Sequence, residues 1–323
     1  MTCPIGTDIP HAASILRNGG LVAFATETVY GLGVNAFDVN AVARVFEVKN
    51  RPRFDPLIVH VNDPTWLERL ATDVPDQARQ LADRFWPGPL SLVLPKADDV
   101  PDLVTAGLST VAVRIPDHPL ALDLLRKADL PIAAPSANPF GCLSPTCAEH
   151  VAQQLGNRID YILDGGICKV GIESTVLKVG NGEPVLLRPG GLSSEDIEAV
   201  IGPVTFAAIS ESETAKAQLS PGRLLKHYAP QTKLIIVPDL KDLTNPEEQS
   251  IGLLSLQPIT ERVSATACEV LSQTGDLREA AANFFAALRR LDAMDLDLIA
   301  AEPFPETGLG HALNDRLQRA AGD

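Results

Sequence analysis

The chain has 323 residues and a formal net charge of −14 at pH 7. Hydrophobic residues make up 45% of it and charged residues 21%, a composition that is typical of a folded globular protein and excludes wholesale disorder. The acidic balance argues against a broad nucleic-acid surface, which needs clustered lysine and arginine, but it allows a local basic pocket. The apolar runs are much shorter than the about 20 residues that a membrane helix needs, so we expect no membrane span.

The N-terminus and the cysteines favour a cytoplasmic protein. Residues 1–8 have neither the basic region nor the apolar core of a signal peptide. The five cysteines are odd in number and scattered, which favours reduced thiols over a disulfide framework. Cys142 and Cys147 alone are too few for a closed zinc site, which needs four ligands, so we expect no metal site.

Helical and strand patterns alternate up to about residue 203. The predicted helices are 9–16, one capped by Asp38 with an apolar face of Ala41, Val42, Val45 and Phe46, and one that opens at Asp63-Pro64. The predicted strands are 21–25, 57–61, 90–94, 111–115, 132–134, 161–163, 175–179 and 185–187. Such alternation predicts an α/β fold in which helices pack on a twisted, partly parallel sheet.

A change of composition divides the chain. Residues 206–218 lose the apolar period, which predicts a linker. The β/α alternation resumes from residue 233, with predicted strands at 234–237, 251–254 and 298–300 and predicted helices at 276–291 and 309–321. We therefore expect a first domain at 1–205, a linker or lid at 206–232, and a small α/β domain at 233–323.

The generic catalytic motifs are absent from the sequence. It has no phosphate-binding P-loop, no His-Glu-x-x-His zinc motif and no Gly-x-Ser-x-Gly nucleophile elbow. Residues 31–36 formally match the dinucleotide fingerprint, but no helix pattern follows, so we predict a tight turn there. His60 and His227 have no visible nucleophile partner; both could be structural, and covalent catalysis is not indicated.

Cations near predicted strand ends favour phosphate chemistry. Residues 49–53 place three cations around a proline that stiffens the turn, which suits an anion clamp, although a solvated turn is the alternative. Arg114 and Arg188 each end a predicted strand, and ligands usually bind at the carboxyl ends of strands in an open sheet. Taken singly, each arginine could equally be a surface residue.

Small and polar loops supply further candidate ligand contacts. The loop at 135–141, which follows a predicted strand, is rich in hydroxyl, amide and turn residues. Ser144 and Pro145 have the pattern of a helix N-cap and first helical position. A helix start is a natural phosphate site, although capping alone would explain this pattern. The loops at 164–166 and 171–175 would let the backbone approach a ligand closely.

An ordered series of motifs gives the most specific signal. The motifs are ATETVYGLG at 25–33, Lys49-x-Arg51-Pro52 with PLIVH at 56–60, FWPGPL at 85–90, VAVR at 111–114, PSAN at 135–138, SPT at 144–146, DGG at 164–166, ESTV at 173–176 and LRPG at 187–190. Together they resemble the YrdC-like domain of the threonylcarbamoyl-AMP synthase family. Segment 220–230, with AEP at 301–303, GLG at 308–310 and NDRL at 314–317, is similar to the two-domain form of that family, so the resemblance covers nearly the whole chain.

The resemblance implies a fold and an activity. The implied fold is α/β, a YrdC-like twisted open sheet with flanking helices plus a small Rossmann-like α/β C-terminal domain. The implied enzyme is a nucleotidyltransferase that makes L-threonylcarbamoyl-adenylate from L-threonine, bicarbonate or CO2, and ATP, and releases pyrophosphate. This product serves N6-threonylcarbamoylation of adenosine 37 in tRNA. The carbamate of threonine would attack the α-phosphorus directly, which explains why no protein nucleophile is visible.

The resemblance also implies ligands, partners and roles for individual residues. Mg2+ is expected with the ATP, and tRNA and downstream threonylcarbamoyl-transferase proteins are the expected further partners. The expected catalytic residues are Lys49 and Arg51. The expected ATP-binding residues are Arg51, Asp55, Thr110, Ser136, Asn138, Ser144, Arg188, His227 and Tyr228, the last two on a lid over the nucleotide. The expected threonine-binding residues are Thr28, His60, Arg114, Ala134 and Ser174.

The sequence departs from the family pattern in three places. Ala25 stands where proline is usual, Asp55 stands where asparagine is common, and residues 223–225 vary the middle of the lid segment. An acidic side chain at position 55 is unfavourable beside a phosphate, which argues against that ATP contact.

Two alternative functions come from other classes of protein. One is a double-stranded RNA- or tRNA-binding module, since YrdC-like domains have a concave face. The net charge of −14 and the lack of stacking aromatic repeats argue against this as the main role. The other is a related carbamoyl-transfer maturation domain, but such domains belong to larger chains with zinc-finger-like cysteine motifs that this sequence lacks.

Overall fold

Two β-sheets organise the protein. The computed structural model describes residues 3–180, 182–207, 228–243, 249–259 and 263–322. An 11-stranded sheet lies within residues 5–206, and a four-stranded sheet lies within residues 234–301. We refer to residues 3–207 as the large unit and to residues 234–322 as the small unit. Residues 208–227 lie outside the described residues. They include most of the predicted linker, and His227 is one of them.

The large unit alternates strands with helices. Its strands are β1 (Ile5–Gly6), β2 (Val22–Phe24), β3 (Gly31–Asn35), β4 (Ile58–His60), β5 (Leu90–Pro95), β6 (Thr110–Arg114), β7 (Ile132–Ala133), β8 (Tyr161–Leu163), β9 (Thr175–Lys178), β10 (Val185–Arg188) and β11 (Thr205–Phe206). Its helices are α1 (Ile9–Arg17), α2 (Val39–Lys49), α3 (Leu67–Leu70), α4 (Asp76–Phe85), α5 (Asp102–Thr105), α6 (Pro119–Ala128), α7 (Ala148–Leu155) and α8 (Ser194–Ile201). Phe206, predicted as the first residue of the linker, is instead the last residue of β11.

The small unit repeats the pattern on a smaller scale. Its strands are β12 (Leu234–Ile236), β13 (Ile251–Ser255), β14 (Ala267–Val270) and β15 (Leu298–Ala301), and its helices are α9 (Leu277–Asp292) and α10 (Gly310–Ala321). Short 3-10 helices occur at Pro64–Trp66 in the large unit and at Leu240–Asp242 in the small unit. Within the described ranges, no helix combines the length and the apolar character needed to cross a membrane.

The large sheet is mixed and the small sheet is parallel. The strand order in the large sheet is β1-β8-β2-β3-β7-β4-β6-β5-β9-β10-β11, and it combines parallel pairs such as β4–β6 with antiparallel pairs such as β5–β6. The small sheet has the order β12-β15-β13-β14, and its neighbouring strands are parallel. The predicted α/β class with a partly parallel sheet is therefore confirmed.

Strand register places candidate residues side by side. His60 ends β4 and pairs in register with Arg114, which ends β6. Arg188 ends β10, which runs antiparallel to β9, so Arg188 comes close to Ser174 just before β9. The sheet thus brings together residues that are far apart in the sequence.

Helix caps that were predicted from the sequence are confirmed. Asp38 accepts hydrogen bonds from two backbone N–H groups in the first turn of α2. Asp63 caps the 3-10 helix at Pro64–Trp66. Each aspartate satisfies donors that a helix start otherwise leaves without partners.

The predicted tight turn at residues 31–36 is wrong, because residues 31–35 form strand β3. The structure explains why glycine occurs in a strand here. A Cβ at Gly33 would lie 2.7 Å from the ring of Phe24 and 2.8 Å from Ile132. The small residue therefore allows close packing on the sheet face, and the glycine pattern does not mark a turn.

The predicted helix start at Ser144 is also wrong. Helix α7 begins at Ala148, with Cys147 at its N-cap position. Ser144 is fully buried instead, and its hydroxyl donates a hydrogen bond to Glu173. A tertiary partner has therefore replaced the capping role that the local pattern favoured.

One apolar core joins the two units. The core of the small unit contains three residues of the large unit, Val29, Leu143 and Ile172. Gly171, with φ 75°, passes so close to α9 that a Cβ there would lie 2.4 Å from the carbonyl oxygen of Ala281. Because burial of apolar surface is the dominant favourable term in such contacts, the two units stabilise each other.

Replacing Phe284 by alanine should destabilise the small unit. Phe284 is fully buried on α9, with ring centroids 5.4 Å from Phe285 and 6.1 Å from Phe304. Phe284→Ala should lower the free energy of unfolding by about 3–5 kcal/mol, since it loses apolar burial and leaves a cavity. Denaturant unfolding followed by circular dichroism measures this loss. The control is Met294→Ala, at a residue that is 48% exposed, and it should change the free energy of unfolding by less than about 0.5 kcal/mol. Equal losses in the two variants would contradict the assigned packing.

Candidate active site

A cavity that is partly open to solvent lies where the strand ends of the large sheet converge. All five residues predicted to bind threonine line it, namely Thr28, His60, Arg114, Ala134 and Ser174. Four residues predicted to bind ATP line it as well, namely Arg51, Ser136, Arg188 and Tyr228. The structure therefore brings members of both predicted sets into one cavity.

A hydrogen-bonded turn presents Thr28 to this cavity. The hydroxyl of Thr26 donates to the carbonyl oxygen of Val29 at 2.6 Å and accepts from the N–H groups of Thr28 and Val29 at 3.2 Å each. These bonds close the turn of the 25–33 motif locally, and the N–H of Val170 adds a hydrogen bond to the carbonyl oxygen of Glu27 at 2.7 Å. The turn fixes the side chain of Thr28 beside the end of β6.

Arg114 is buried, and hydrogen bonds fix the orientation of its guanidinium group. Its Nη1 donates to Thr28 Oγ1 at 2.9 Å, and its Nε donates to the carbonyl oxygen of Gly88 at 3.1 Å. Its Nη2 lies 2.5 Å from Glu27 Oε1, in an ion pair whose two side chains are 4% and 6% exposed. Such fork-shaped contacts hold a guanidinium in one geometry, which suits the binding of a carboxylate ligand.

His60 is a buried, neutral imidazole in the wall of the cavity. It is 4% exposed, and its Nδ1 lies 3.2 Å from the carbonyl oxygen of Ile58. Burial, and next the nearby charge of Arg114, lower the pKa of His60 to about 3. At neutral pH this side chain therefore offers hydrogen bonding without a charge.

Arg188 connects the two predicted residue sets directly. Its Nη2 donates to the carbonyl oxygen of Ser174 at 2.8 Å and lies 3.3 Å from Ser174 Oγ. Ser174 Oγ in turn lies 2.8 Å from Ser91 Oγ. A residue predicted for ATP thus touches a residue predicted for threonine.

Arg51 lines the cavity, whereas Asp55 lies behind it. The Nη2 of Arg51 lies 2.9 Å from Asp55 Oδ2, in an ion pair with both side chains buried, and it donates to the carbonyl oxygen of Pro56 at 2.8 Å. Burial raises the pKa of Asp55, and the charge of Arg51 opposes that rise. The acidic residue at position 55 therefore holds an arginine in place, and it is not among the lining residues.

Lys49 also lies behind the wall. It is 1% exposed, and its Nζ donates to the carbonyl oxygens of Ser136, at 2.6 Å, and Asn138. Burial, and next the charge of Arg51, lower the pKa of Lys49 well below its usual value. Lys49 thus fixes the loop that carries Ser136, and the structure does not place its ammonium group on the cavity surface.

Asn138 and Thr110 lie away from the lining. Asn138 is buried, and its side-chain amide donates to the carbonyl oxygens of Pro139 and Cys142 at 3.0 and 2.8 Å. Thr110 borders a separate small cavity, together with Pro56 and other residues. The assignment of these two residues to ATP stays a prediction, without support from the cavity lining.

A residue of the small unit reaches the wall of the cavity. Ser144 Oγ donates to Glu173 Oε1 at 2.5 Å, and Arg316 Nε donates to Glu173 Oε2 at 2.7 Å. Glu173 lines the cavity, but sequence reasoning assigned it no role, although it lies within the quoted motif at 173–176. Arg316 lies within the quoted motif at 314–317, but no role was predicted for it, because its partner Glu173 is 143 residues away in the chain.

Tyr228, where the described chain resumes after residue 227, is inserted between the units. It is 1% exposed, with φ 63°, and its ring centroid lies 5.6 Å from that of Phe285 in α9. The N–H of the next residue, Ala229, donates to the carbonyl oxygen of Gly141 at 2.8 Å. The end of the predicted lid is therefore anchored to both units, whereas His227 lies outside the described residues.

The charged groups of the cavity suit an anionic ligand more than a bound metal ion. Among the residues that the structure describes, no three His, Cys, Asp or Glu side chains are grouped so that they could hold a metal. The lining contains the guanidinium groups of Arg51, Arg114 and Arg188. Arginine forks of this kind favour phosphate and carboxylate groups.

Family models match both parts of the chain. Residues 14–190 match the Sua5/YciO/YrdC model, which carries the description telomere recombination. Residues 192–322 match the model of the threonylcarbamoyl-AMP synthase C-terminal domain.

Relatives match the chain over nearly its whole length. A threonylcarbamoyl-AMP synthase of Bacillus subtilis is 47% identical over 322 residues, which cover 97% of this chain and 93% of the relative. One of Pyrococcus abyssi is 45% identical over 317 residues, which cover 96% and 93%. A crystal structure of P. abyssi Sua5 complexed with L-threonine superposes with a TM-score of 0.90 at 42% identity, covering 100% of this chain and 98% of that chain.

His60 should make the folded protein sensitive to acid. An unfolded histidine has a pKa of about 6.5, whereas in the folded protein the pKa of His60 is about 3. Between these values the unfolded chain binds a proton that the folded chain does not. The free energy of unfolding should therefore fall as the pH drops from about 6.5 toward 3, by up to about 1.4 kcal/mol per pH unit from this residue.

His60→Gln removes the part of this pH dependence that comes from His60. The free energy of unfolding of the variant should therefore fall less steeply than that of the wild type as the pH drops from 6.5 to 4. Denaturant titrations at half-unit pH steps measure the two slopes. His11→Gln, which removes an exposed imidazole on α1, is the matched control. Parallel slopes for wild type and His60→Gln would show that His60 is not held neutral.

Proposed function

The chain belongs to the threonylcarbamoyl-AMP synthase family and is a nucleotidyltransferase, and we propose that it joins L-threonine, bicarbonate and ATP in the cavity at the strand ends. Its product is L-threonylcarbamoyl-adenylate, and pyrophosphate leaves. The geometry of the cavity then suggests how this chain carries out the reaction.

The meeting of the two predicted residue sets is the observation that carries this proposal. Arg114 and Thr28 are hydrogen-bonded at 2.9 Å on one side, and Arg188 and Ser174 are hydrogen-bonded at 2.8 Å on the other. A reaction between two bound substrates needs their sites to be contiguous, because positioning is the main source of rate when no covalent catalyst takes part. The shared cavity supports that arrangement.

The proposed chemistry has two steps. The amine of threonine attacks the carbon of CO2, which arises from bicarbonate by loss of hydroxide, and a proton leaves the nitrogen to give a carbamate. A carbamate oxygen then attacks the α-phosphorus of ATP, and the bond from that phosphorus to the bridging oxygen of the β-phosphate breaks. The electron pair of the broken bond leaves with pyrophosphate. The protein needs to supply orientation and charge stabilisation but no nucleophile.

Arginines have the main electrostatic role in this proposal. Arg114 would bind the carboxylate of threonine through its fork, while the neutral His60 would add a polar contact without a second charge. Arg51 and Arg188 would stabilise the charge that develops on the transferred phosphoryl group and on pyrophosphate. Their burial, with relative exposures of 6% and 3%, supports this role because electrostatic interactions strengthen where water is excluded.

Tyr228 would help to exclude water from the reacting groups. Its ring is buried at the cavity and packs on Phe285, so the end of the predicted lid forms part of the wall. The product is a mixed anhydride that water can hydrolyse, so a closed wall protects it. His227 would belong to the same lid.

We propose that Mg2+ enters with the triphosphate of ATP. The described residues offer no cluster of carboxylates and imidazoles to hold the ion by themselves. Mg2+ commonly keeps its water ligands and relies on substrate phosphates, where it neutralises charge on the leaving group. Lys49 and Asn138 would act from behind, by fixing the loop at 135–139 through the carbonyl contacts described above.

The product would serve the threonylcarbamoylation of adenosine in tRNA, a cytoplasmic process. A downstream threonylcarbamoyl-transferase protein would then accept the intermediate. The net charge of −14 does not favour a broad RNA-binding surface on this chain, so we expect the small-molecule product, rather than a stable tRNA complex, to link the two steps.

Pyrophosphate release tests the proposed function. The purified chain should release pyrophosphate from ATP only when L-threonine, bicarbonate and Mg2+ are all present. Coupled phosphate detection, with omission of each component in turn, measures this dependence. Release that is indifferent to threonine would refute the proposal. In that case, tight and steeply salt-dependent RNA binding in gel shifts would favour the RNA-binding alternative.

Arg188→Ala should impair turnover much more than it impairs folding. Loss of a preorganised charge at the phosphoryl group should lower kcat by about 100- to 1,000-fold, or about 2.7–4 kcal/mol. Steady-state pyrophosphate assays measure the loss. Arg44→Ala is the control, since it removes an exposed surface ion pair with Asp160 and should retain full activity. Normal kcat in Arg188→Ala would remove this residue from the mechanism.

A further inference from the structure

Arg316 carries a buried guanidinium from the small unit to the wall of the cavity. It lies in α10 and is 0% exposed. Its Nε donates to Glu173 Oε2 at 2.7 Å, and its Nη2 donates to the carbonyl oxygen of Pro189 at 3.1 Å. These two partners belong to the large unit, so Arg316 joins the two units by charge as well as by packing. Its Nη1 also donates to Asp315, the preceding residue of α10.

Glu173 is the residue through which this contact reaches the cavity. It is 6% exposed and lines the cavity beside Arg188 and Tyr228. Its two carboxylate oxygens have different partners, since Oε1 accepts from the hydroxyl of Ser144 and Oε2 accepts from Arg316. The carboxylate is therefore held from both units in one orientation.

An uncompensated carboxylate at this place would oppose a polyphosphate ligand. Repulsion between like charges is stronger in a buried wall than in water, because the surroundings have a lower dielectric constant. Arg316 supplies the compensating positive charge at 2.7 Å. Burial acts to lower the pKa of Arg316, but Tyr228, Glu173 and Asp315 outweigh burial and raise the pKa above its usual value, so the guanidinium stays charged.

Arg316 also contacts a second lining residue. Its guanidinium carbon lies 5.1 Å from the ring centroid of Tyr228, within the usual distance of a cation–π contact. Tyr228 belongs to the predicted lid and lines the cavity. One side chain of the small unit therefore supports both a charged and an aromatic part of the wall.

We propose that Arg316 is a positioning residue for nucleotide binding: by neutralising Glu173 and supporting Tyr228, it allows the cavity wall to accept the triphosphate of ATP. This inference rests on the proposed function and assigns a task to the small unit, which completes the nucleotide side of the site. Threonine binding depends on Arg114 and Thr28 of the large unit and should not need Arg316.

The test separates lost charge compensation from lost stability. Arg316→Gln removes the charge, Arg316→Lys keeps it, and Glu173→Gln removes the carboxylate. Asp315 keeps a partner in these variants, because Arg319 donates to it at 2.8 Å. The control is Arg290→Gln, also in the small unit, which removes an arginine whose ion pair with Glu269 lies at the surface.

Isothermal titration calorimetry measures the Kd of α,β-methylene-ATP with Mg2+ and, separately, the Kd of L-threonine. Arg316→Gln should weaken binding of the ATP analogue by about tenfold or more, because it leaves the charge of Glu173 without its partner. An effect of this size is typical of groups in direct contact, as Arg316 and Glu173 are. Threonine affinity should stay within about twofold. Arg316→Lys and Arg290→Gln should each bind the analogue within about threefold of wild type.

The double variant Arg316→Gln/Glu173→Gln gives the decisive outcome. It contains no uncompensated carboxylate, so it should recover most of the analogue affinity that Arg316→Gln loses. A merely structural contact would show no such rescue. Unchanged analogue binding in folded Arg316→Gln, or a double variant as weak as the single one, overturns the proposal.

Folding and function are controlled separately. Thermal unfolding identifies variants that have lost the fold, and if Arg316→Gln does not fold, the double variant and Arg316→Lys still test the charge argument against wild type. If wild type itself fails to release threonine-dependent pyrophosphate, the proposed function is wrong. If wild type is active and the rescue is absent, only the role of Arg316 is wrong.

Discussion

Pairing of buried arginines with buried carboxylates is the constraint on which the site depends. Three such pairs surround or adjoin the cavity: Arg51 with Asp55, Arg114 with Glu27, and Arg316 with Glu173. A buried charge is costly unless it is paired and hydrogen-bonded, and the carboxylates also fix the guanidinium forks in direction. The cavity therefore has cations that are oriented before any ligand arrives, which is the condition for electrostatic stabilisation without reorganisation.

The same constraint explains why the two units act together. The large unit supplies the cavity, but one of the three pairs is completed by an arginine of the small unit. A second arginine of that unit, Arg289, donates to the carbonyl oxygen of Leu143 at 2.5 Å and to Gln154 at 3.0 Å. Together with the apolar core that both units share, these contacts hold the small unit against the large unit behind the wall of the cavity.

Local sequence patterns predicted the elements that depend on near neighbours. The caps at Asp38 and Asp63 are examples, because a cap needs only its own side chain and the N–H groups two or three residues later. Strands such as β5 and β8 were found because their apolar runs are buried. Strand β14, which the sequence analysis missed, has no such run, since its residues are only partly buried or exposed.

Patterns failed where a distant residue replaced the local partner. Ser144 has the signature of a helix cap, but its hydroxyl donates to Glu173, 29 residues away. Lys49 belongs to the cationic cluster at residues 49–53, whose pattern predicts an anion clamp. Its side-chain nitrogen instead donates to backbone carbonyl oxygens behind the wall of the cavity. In both cases the local pattern gave the chemical type of the side chain, and packing decided its partner.

The sequence by itself determined the α/β class, the family and the chemical types of most groups around the cavity, because these depend on composition, local periodicity and ordered motifs. Tertiary structure alone decided which guanidinium meets which carboxylate, which predicted residues lie on the surface of the cavity, and that Arg316 supports a residue of its wall. The physical reason is distance along the chain: Arg316 and Glu173 are 143 residues apart, and no local pattern encodes a pair that only the docking of two units creates.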